Sequence, residues 1–374
     1  MRPLRIVHSE AATDWGGQEQ YIYRMMRLMR ERGHHLEAIC QPEAELTARL
    51  RDSGFTVHTM PMDGHLNYWR GVAQVRRILK AGRFDVLNTH SRRDAVLAGL
   101  GGRLAGTPLV VRTRHLAKRP RSLLSYTGIP QRVITPSEFV RQSLVDKGVA
   151  PGKVAVVYPV VALRIPEEPS TLRGELGLDE QAVVVGCVGA MRPRKGHHTL
   201  LQAMLPILRE RADVHLVCVG DGAPIFQQLQ AAVNQAGLQG QVHLLGQRGD
   251  VPNLLKGFDL FALATEQEAS GTVFVEAAMA GLPVIGTRVD GVPEMLSVNE
   301  SGLLVPVGDV AALTQALRTL VDDPALRRRM GETGRRLILE QGKFTPEGMV
   351  ARVEACYGRW LRELGAGDAL GAPA

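Results

Sequence analysis

Two carboxylates eight positions apart, Glu268 and Glu276, flank Gly271 within the stretch Thr265–Glu294. A polar loop holding Glu268 and Gly271 follows the apolar run Asp259–Leu263 and leads into an Ala-rich helix expected to carry Glu276 in its first turn. Gly271 lets the backbone approach a ligand closely. The free N–H groups at Gly271, Thr272 and Val273, with the positive end of the helix dipole, suit a phosphate. A ligand with hydroxyls on both sides of a diphosphate can use both carboxylates. A glutamate at a helix start is also an ordinary dipole partner, so the pair alone leaves both interpretations open.

A second set of charges lies upstream. Gly189-Ala190-Met191-Arg192-Pro193-Arg194-Lys195-Gly196 follows the apolar run Val183–Val188, and a helix is expected after it. Both loops leave the same edge of one sheet, which puts Arg192 and Lys195 beside the start of the Gly271–Glu276 helix. Arginine grips two oxygens at once and lysine acts as a point charge, so the two hold a diphosphate and stabilise the charge on a departing nucleotide. A basic loop standing alone is more often simply solvated. The carboxylate-bearing helix downstream favours the phosphate assignment. No Asp-x-Asp pair is present to hold a divalent cation. No metal is therefore expected, and leaving-group charge falls on Arg192, Lys195 and backbone N–H groups.

The elements that must position these residues start with a strand at Leu4–His8. The loop Trp15-Gly16-Gly17-Gln18-Glu19 follows, then a helix over Gln20–Arg32 closed by Gly33. Gly16 and Gly17 either admit a substrate close to the backbone or make a tight turn. Their spacing is not Gly-x-Gly-x-x-Gly, which counts against a dinucleotide-dependent dehydrogenase. Strands at Leu36–Cys40, Phe55–Met60, Asp85–Thr89, Leu109–Thr113, Arg132–Thr135 and Val154–Tyr158 alternate with helices at Ala44–Asp52, Trp69–Ala81, Asp94–Ala105 and Ser137–Lys147. That order predicts a parallel sheet with helices on both faces. Pro159–Pro169 reads as a linker.

The design then restarts, with strands at Val183–Val188, His215–Val219, Val242–Leu245, Leu260–Leu263, Val284–Gly286 and Leu303–Val305. Helices near Ala311–Leu320, Ala325–Gln341 and Glu347–Glu363 finish the chain, with a frayed tail from Gly365. The fold class is α/β, with two Rossmann-like parallel-sheet domains over residues 1–160 and 161–345 facing each other across a cleft.

The chain has 374 residues, long for one core and natural for two domains. A hydrophobic fraction of 45% and a charged fraction of 22% are those of a soluble globular protein. No apolar run reaches membrane-spanning length and Met1–Val7 lacks the apolar core of a signal peptide, so a cytosolic location is expected. Cys40, Cys187, Cys218 and Cys356 are scattered and mostly in apolar surroundings, which suits buried thiols better than disulfides or a metal site. The formal charge of +7 is uneven: residues 1–160 hold about 25 Lys and Arg against about 13 Asp and Glu. The first half therefore faces something anionic, a phospholipid surface, a phosphorylated acceptor or nucleic acid.

The pattern Glu-x7-Glu over Glu268–Glu276, followed by Gly-Leu-Pro-Val-Ile and by Asp290-Gly291-Val292-Pro293-Glu294, resembles the donor site of the retaining GT-B glycosyltransferases of family 4. Trp15–Glu19 with Arg32-Gly33-His34, Arg112–His115, Thr135-Pro136-Ser137 and Arg192–Gly196 fall in the same family order, so the likeness covers nearly the whole chain. It implies transfer of a sugar from a UDP-, GDP- or ADP-sugar with retention of configuration. The acceptor would be an anionic glycan or lipid-linked molecule of the cell envelope, such as a lipopolysaccharide core, and the last helix, in residues 346–374, would cross back to the first domain.

The resemblance also implies roles. Arg192, Lys195, Gly271, Thr272, Val273 and Gly17 hold the donor diphosphate, and Glu276 the ribose. Gln247 and Arg248 lie where the nucleobase passes. Glu268 binds sugar hydroxyls, and His115 reaches across the cleft to the sugar. Gly16, Gln18, His90, Arg112, Arg114, Lys118 and Arg119 fall on the acceptor side. The chain departs from the family at Asp290, where a glycine is usual, at Tyr158-Pro159-Val160-Val161, and at Ala269-Ser270 beside the donor sugar. Gly220-Asp221-Gly222 also matches the family and is taken as a structural turn.

The basic, apolar-studded segments Trp69–Lys80 and Leu116–Tyr126 suit contact with an anionic membrane at the cytosolic face. A buried amphipathic helix with a solvated basic face explains the first equally well. Two rival functions share the phosphate site: a sugar-nucleotide epimerase or hydrolase, and a non-catalytic nucleotide- or nucleic-acid-binding protein. Against nucleic acid, the cations are not interleaved with stacking aromatics, which make up 5% of the chain.

Overall fold

The short Val-, Ile- and Leu-rich runs are buried on both sides, as strands of a helix-covered parallel sheet must be. A computed structural model describes residues 2–118, 123–161 and 164–366. They divide into two compact units, Met1–Val160 with Pro346–Ala374, and Val161–Thr345.

The first unit begins β1 (Arg5–Glu10), α1 (Gly17–Glu31), β2 (His35–Cys40), α2 (Glu45–Asp52), β3 (Thr56–Thr59) and α3 (His65–Gly82). It continues with β4 (Val86–Thr89), α4 (Arg92–Ala105), β5 (Leu109–Thr113), α5 (Leu124–Thr127), β6 (Arg132–Thr135), α6 (Glu138–Val145) and β7 (Val154–Val156). The strands are parallel in the order β3-β2-β1-β4-β5-β6-β7. The winding direction reverses between β1 and β4. The first helix starts at Gly17, earlier than the sequence suggests, so Gln18 and Glu19 are helical and not loop. The reason is local: Glu19, at the third helical position, reaches back to accept the Gly16 N–H at 2.8 Å. In α3, Val72, Val75 and Leu79 are buried while Arg70, Arg76, Arg77 and Lys80 are exposed, an amphipathic helix with a solvated basic face. Trp69 departs from it, 69% exposed.

The second unit holds α7 (Leu172–Leu176), β8 (Val183–Val188), α8 (His197–Glu210), β9 (Val214–Val219), α9 (Ile225–Ala236), β10 (Val242–Leu244) and α10 (Val251–Lys256). Then come β11 (Leu260–Leu263), α11 (Thr272–Met279), β12 (Val284–Thr287), β13 (Gly302–Val305), α12 (Val310–Asp322) and α13 (Pro324–Gln341). Its parallel sheet runs β10-β9-β8-β11-β12-β13, reversing between β8 and β11. Asp309 and Asp323 cap α12 and α13 by accepting the Ala312 and Leu326 N–H groups at 2.9 and 2.8 Å.

The final helix, α14 (Pro346–Glu363), belongs to the first unit. Its Met349, Val353, Tyr357 and Trp360 share a core with Leu4, Ile22, Met25 and Val111. Asn88 of β4 donates to Tyr357 Oη at 3.0 Å, and Glu354 lies 3.0 Å from His34 Nε2. Among the described residues no helix is long and apolar enough to cross a membrane. All four cysteines are free thiols, three of them buried.

Candidate active site

In open parallel sheets ligands sit beyond the strand C-termini where the strand order reverses. In the second unit that place is between β8 and β11, whose residues Val185 and Leu260 pair. The loops leaving these two strands meet. Glu266 N–H donates to Arg194 O at 2.8 Å and Thr265 Oγ1 donates to the same carbonyl at 3.1 Å. The Arg194 guanidinium donates to Gln267, and Lys195 Nζ is ion-paired with Glu268 Oε2. The structure thus joins the lysine of the cationic loop to the first carboxylate, while Arg192 stays exposed.

Glycine makes the loop contact attainable. Gly196 sits at φ +69°, and a Cβ there would come 1.8 Å from Ala264 O. Gly271, at φ +62°, precedes α11, so Thr272 and Val273 open the helix with N–H groups that lack intrahelical acceptors. Glu276 is five residues into α11, in its second turn and half-buried. The expectation of a first-turn position is corrected by where the helix starts: Gly271 in the left-handed region ends the loop only at Thr272. Asp290, at φ +46°, occupies the conformation for which glycine is usual, one that aspartate tolerates better than most side chains. Its Oδ2 accepts the Glu268 N–H at 3.0 Å, and Gly291 N–H donates to Glu268 O at 3.0 Å, so this turn fixes the Glu268 backbone. Burial, reinforced by the Glu268 carboxylate, raises the Asp290 pKa above the usual value.

Gly220-Asp221-Gly222 is structural. Met191 N–H donates to Asp221 O at 2.9 Å, and side chains at Gly220 and Gly222 would collide with Gly189 O and Met191 O. Gln247 is exposed. The Arg248 guanidinium is engaged by Asp250, through bonds of 2.8 Å, and by Glu175 at 3.0 Å. A base reader here would work through the backbone.

The first unit places a second group at its own reversal point. His8 within β1, His90 just beyond β4 and His115 just beyond β5 form a chain: His8 Nδ1 lies 2.9 Å from His90 Nε2, and His90 Nδ1 lies 3.0 Å from His115 Nε2. The rings stack at centroid distances of 5.2 and 5.3 Å, and Tyr21 packs edge-on to His115 at 5.0 Å. Burial pushes His8 and His115 down to about 3, and His90 well below its ordinary value. The three imidazoles are therefore neutral.

His90 N–H donates to Asp94 Oδ2 at 2.8 Å, and the Ser91 hydroxyl donates to the other oxygen. Glu10 accepts from Ala12 N–H at 2.8 Å and from Gln18 Nε2 at 2.5 Å, so the Gln18 side chain is tied to β1. Burial, with the carboxylates of Asp94 and Glu19 nearby, pushes Glu10 up to about 8. Gly16 precedes α1 and Gly17 opens it. Arg112 and Arg114 are buried and turned inward. Arg112 donates to Ser125 O at 3.0 Å with its guanidinium 4.0 Å from the Tyr126 ring centroid, and Arg114 donates to Tyr126 Oη and Lys118 O. Lys118 is exposed, and Arg119 lies outside the described residues. Sequence reasoning missed His8, Glu10, Asp94 and the anchoring role of Asp290. The available signal for the first three was their place at the ends of β1 and the start of α4, beside the Gly-Gly turn.

Comparison with known proteins bears on both units. The family model for glycosyl transferases group 1 matches residues 170–337, and that for glycosyltransferase family 4 matches residues 15–164. The chain is 30% identical over 307 residues to the N-acetyl-alpha-D-glucosaminyl L-malate synthase of Bacillus anthracis, covering 78% of this chain and 79% of that one. It is 25% identical to the lipopolysaccharide core biosynthesis glycosyltransferase LpsE of Rhizobium meliloti, over 92% of this chain and 96% of the other. The crystal structure of Anabaena Alr3699/HepE in complex with UDP-glucose shares the fold, with a TM-score of 0.80 and 20% identity over 94% of this chain and 99% of that one. With both sheets covered by family models and a relative at 30% identity spanning most of the chain, the protein belongs to glycosyltransferase family 4, the glycosyl transferases of group 1.

Proposed function

We propose that the chain is a retaining, metal-independent glycosyltransferase that moves a sugar from a nucleotide-sugar to an anionic glycan or lipid-linked acceptor in cell-envelope glycan synthesis. The observation that carries this is the pairing of Lys195 with Glu268 beside Gly271 and the start of α11. A cation, a carboxylate and helix-end N–H groups in one loop cluster serve a diphosphate and sugar hydroxyls together. The relatives support the class of donor and acceptor: Anabaena HepE was solved with UDP-glucose, the Bacillus anthracis relative is named for L-malate, and the Rhizobium meliloti relative for lipopolysaccharide core biosynthesis.

On this proposal Arg192, Lys195, Gly271, Thr272 and Val273, with Gly17, hold the diphosphate. Glu276 binds the ribose, and Gln247 with the Arg248 backbone reads the base. Glu268 and the neutral imidazole of His115 hold the sugar. The bond from C1 to the diphosphate oxygen breaks as an acceptor oxygen bonds C1 from the same face, and the acceptor's proton passes to a donor phosphate oxygen. The nucleoside diphosphate leaves with its charge met by Arg192, Lys195 and N–H groups. A retaining glycosidase would instead use two carboxyls as acid and nucleophile. Trp69, Leu116 and Leu124 are exposed beside basic residues, which supports peripheral contact with an anionic membrane at the cytosolic face.

The test is a thermal-shift panel of UDP-, GDP- and ADP-sugars with and without EDTA, on wild type and Lys195→Ala. Stabilisation by one nucleotide class, indifferent to EDTA and lost in Lys195→Ala, is expected, since a ligand at 100 times its Kd adds about 2.7 kcal/mol. Stabilisation that needs a divalent ion, or that survives the substitution, overturns the phosphate assignment.

A further inference from the structure

The imidazole chain that crosses the first sheet from β1 through β4 to β5 has a direction. Burial keeps all three rings neutral, and a neutral imidazole carries one N–H and one bare nitrogen, so each ring donates at one end and accepts at the other. His8 Nδ1 meets His90 Nε2 at 2.9 Å, and His90 Nδ1 meets His115 Nε2 at 3.0 Å. Neighbouring ring planes differ by only 18° and 24°, so an N–H in the plane of one ring can meet the in-plane lone pair of the next. The pairing of β1 with β4 and of β4 with β5 sets the spacing, and Asp94 holds the His90 backbone by accepting its N–H at 2.8 Å.

Two bonds in series leave three neutral rings only two arrangements. In one, His8 Nδ1–H donates to His90 and His90 Nδ1–H donates to His115. In the other both bonds are reversed, and the His8 proton moves to Nε2. The far end of the chain decides between them. His8 is 1% exposed, and its Nε2 is buried with no hydrogen-bond partner among the described residues. A bare nitrogen is tolerated there, whereas an N–H would give up its bond to water and gain none; buried N–H groups without a partner are rarer than under-used acceptors. The same atom disfavours a charged His90, which would donate to both neighbours and push the His8 proton onto Nε2. The near end is open: His115 is half-buried, and its Nδ1 makes no hydrogen bond with a described residue.

We propose that His8 is a positioning residue that sets the direction of this chain, so that His115 carries its proton on Nδ1 and offers its ligand an N–H and not a lone pair. The partner of that nitrogen is then an oxygen lone pair, and His115 takes no proton from it. Naming the oxygen as one on the donor sugar rests on the transferase proposal; the tautomer does not. On that reading His115 is a hydrogen-bond donor and not the base, which leaves the acceptor's proton to the donor phosphate.

The experiment is NMR of the full chain with nitrogen-labelled histidine side chains, at neutral pH and without nucleotide. Ring-nitrogen shifts tell an N–H from a bare nitrogen, and single substitutions of each histidine assign the signals. Wild type should show His115 protonated at Nδ1 over Nε2 by roughly tenfold or more. His8→Leu should keep that state, because the reversed chain would strand an N–H of His90 against leucine. His8→Gln should lose it, since an amide turns either its N–H or its oxygen toward His90 and satisfies both directions. The two His115 tautomers should then become comparable, and kcat/KM for transfer should fall by about the same fraction, roughly twofold. A ring that merely filled space would give the opposite order, with glutamine the milder change. His115 protonated at Nε2 in wild type, an Nδ1–H state unchanged in His8→Gln, or its loss in His8→Leu overturns the proposal. A tautomer that shifts in His8→Gln while transfer holds at the wild-type rate overturns the use of this N–H in the reaction. Because the rings are read without nucleotide, an absence of glycosyl transfer by wild type would remove the transferase reading and leave the tautomer assignment standing.

Discussion

Lys195 and Glu268 are ion-paired although 73 residues separate them in sequence, because they leave the two strands at which the second sheet reverses. The pair is half-buried, with side-chain exposures of 26% and 17%. Without a donor each neutralises the other. On the proposed assignment, a donor diphosphate would compete for the lysine and free the carboxylate for sugar hydroxyls. Lys195→Ala should therefore weaken nucleotide-sugar binding by tenfold or more, about 1.4 kcal/mol. Glu268→Gln should bind nucleotide at least as well as wild type and lose about a hundredfold in transfer. Calorimetry and a radiolabelled-sugar assay on the two variants check this; turnover of Glu268→Gln near wild type would remove Glu268 from the mechanism.

The same loop contact sets a stability prediction. A methyl group at Gly196 would lie 1.8 Å from Ala264 O, at a backbone angle that L residues rarely adopt. Neither backbone can retreat without breaking the bond from Glu266 N–H to Arg194 O. Gly196→Ala should cost about 3 kcal/mol or more, read as a lower Tm and loss of donor-induced stabilisation. Gly189→Ala is the control: nothing lies within 4 Å of its added carbon and its φ is not in the left-handed region, so it should be nearly neutral.

The sequence makes the second unit's loops legible because their chemistry is local. Gly196, Gly271, Arg192, Lys195 and Glu268 all lie in the loops that directly follow β8 and β11, and strand ends are visible as the close of an apolar run. The turn holding Glu276 is less legible, since its place depends on whether the helix opens at Gly271 or after it. In the first unit legibility falls further. His8 reads as one more strand residue, and its partner His90 is 82 positions away, brought close only by β1–β4 pairing. Arg112 and Arg114 count as cations in a composition, yet packing against Tyr126 turns them inward. Charge is read from a sequence, but direction comes from tertiary contacts.

Glu10 yields a pH prediction from its buried position. Its folded pKa, pushed up to about 8, is above the unfolded value of 4.5, so the unfolded chain releases the proton first. The stability it contributes is complete below about pH 4.5 and is lost as pH rises toward 8. Gln18 can rotate its amide to accept from a glutamine at this place, which keeps the hydrogen bond. Glu10→Gln should gain roughly 4 kcal/mol over wild type at pH 8 and less than about 1 kcal/mol at pH 5. Urea unfolding at the two pH values measures the difference, and an equal gain at both would mean that the Glu10 carboxyl is not held protonated.

His8 works in the opposite sense. Burial holds it down to about 3, below its ordinary 6.5, so between these values the unfolded chain binds a proton that the folded chain refuses. Stability is complete above about pH 6.5 and falls as pH drops toward 3, by about 2 kcal/mol at pH 5 for this imidazole. His8→Gln keeps a hydrogen-bonding partner for His90 without a titrating group. It should flatten the decline in Tm between pH 7 and pH 5, and an unchanged slope would show that His8 is not the group that resists protonation. The same burial acts on His115, pushed down to about 3, which the chain through His90 links to His8. On the proposed assignment His115 would therefore meet the donor sugar as a neutral hydrogen-bonding ring. The transfer rate should carry no limb near pH 6.5 from this residue, and a rate that rises or falls there in wild type but not in His115→Gln would show an imidazole that titrates.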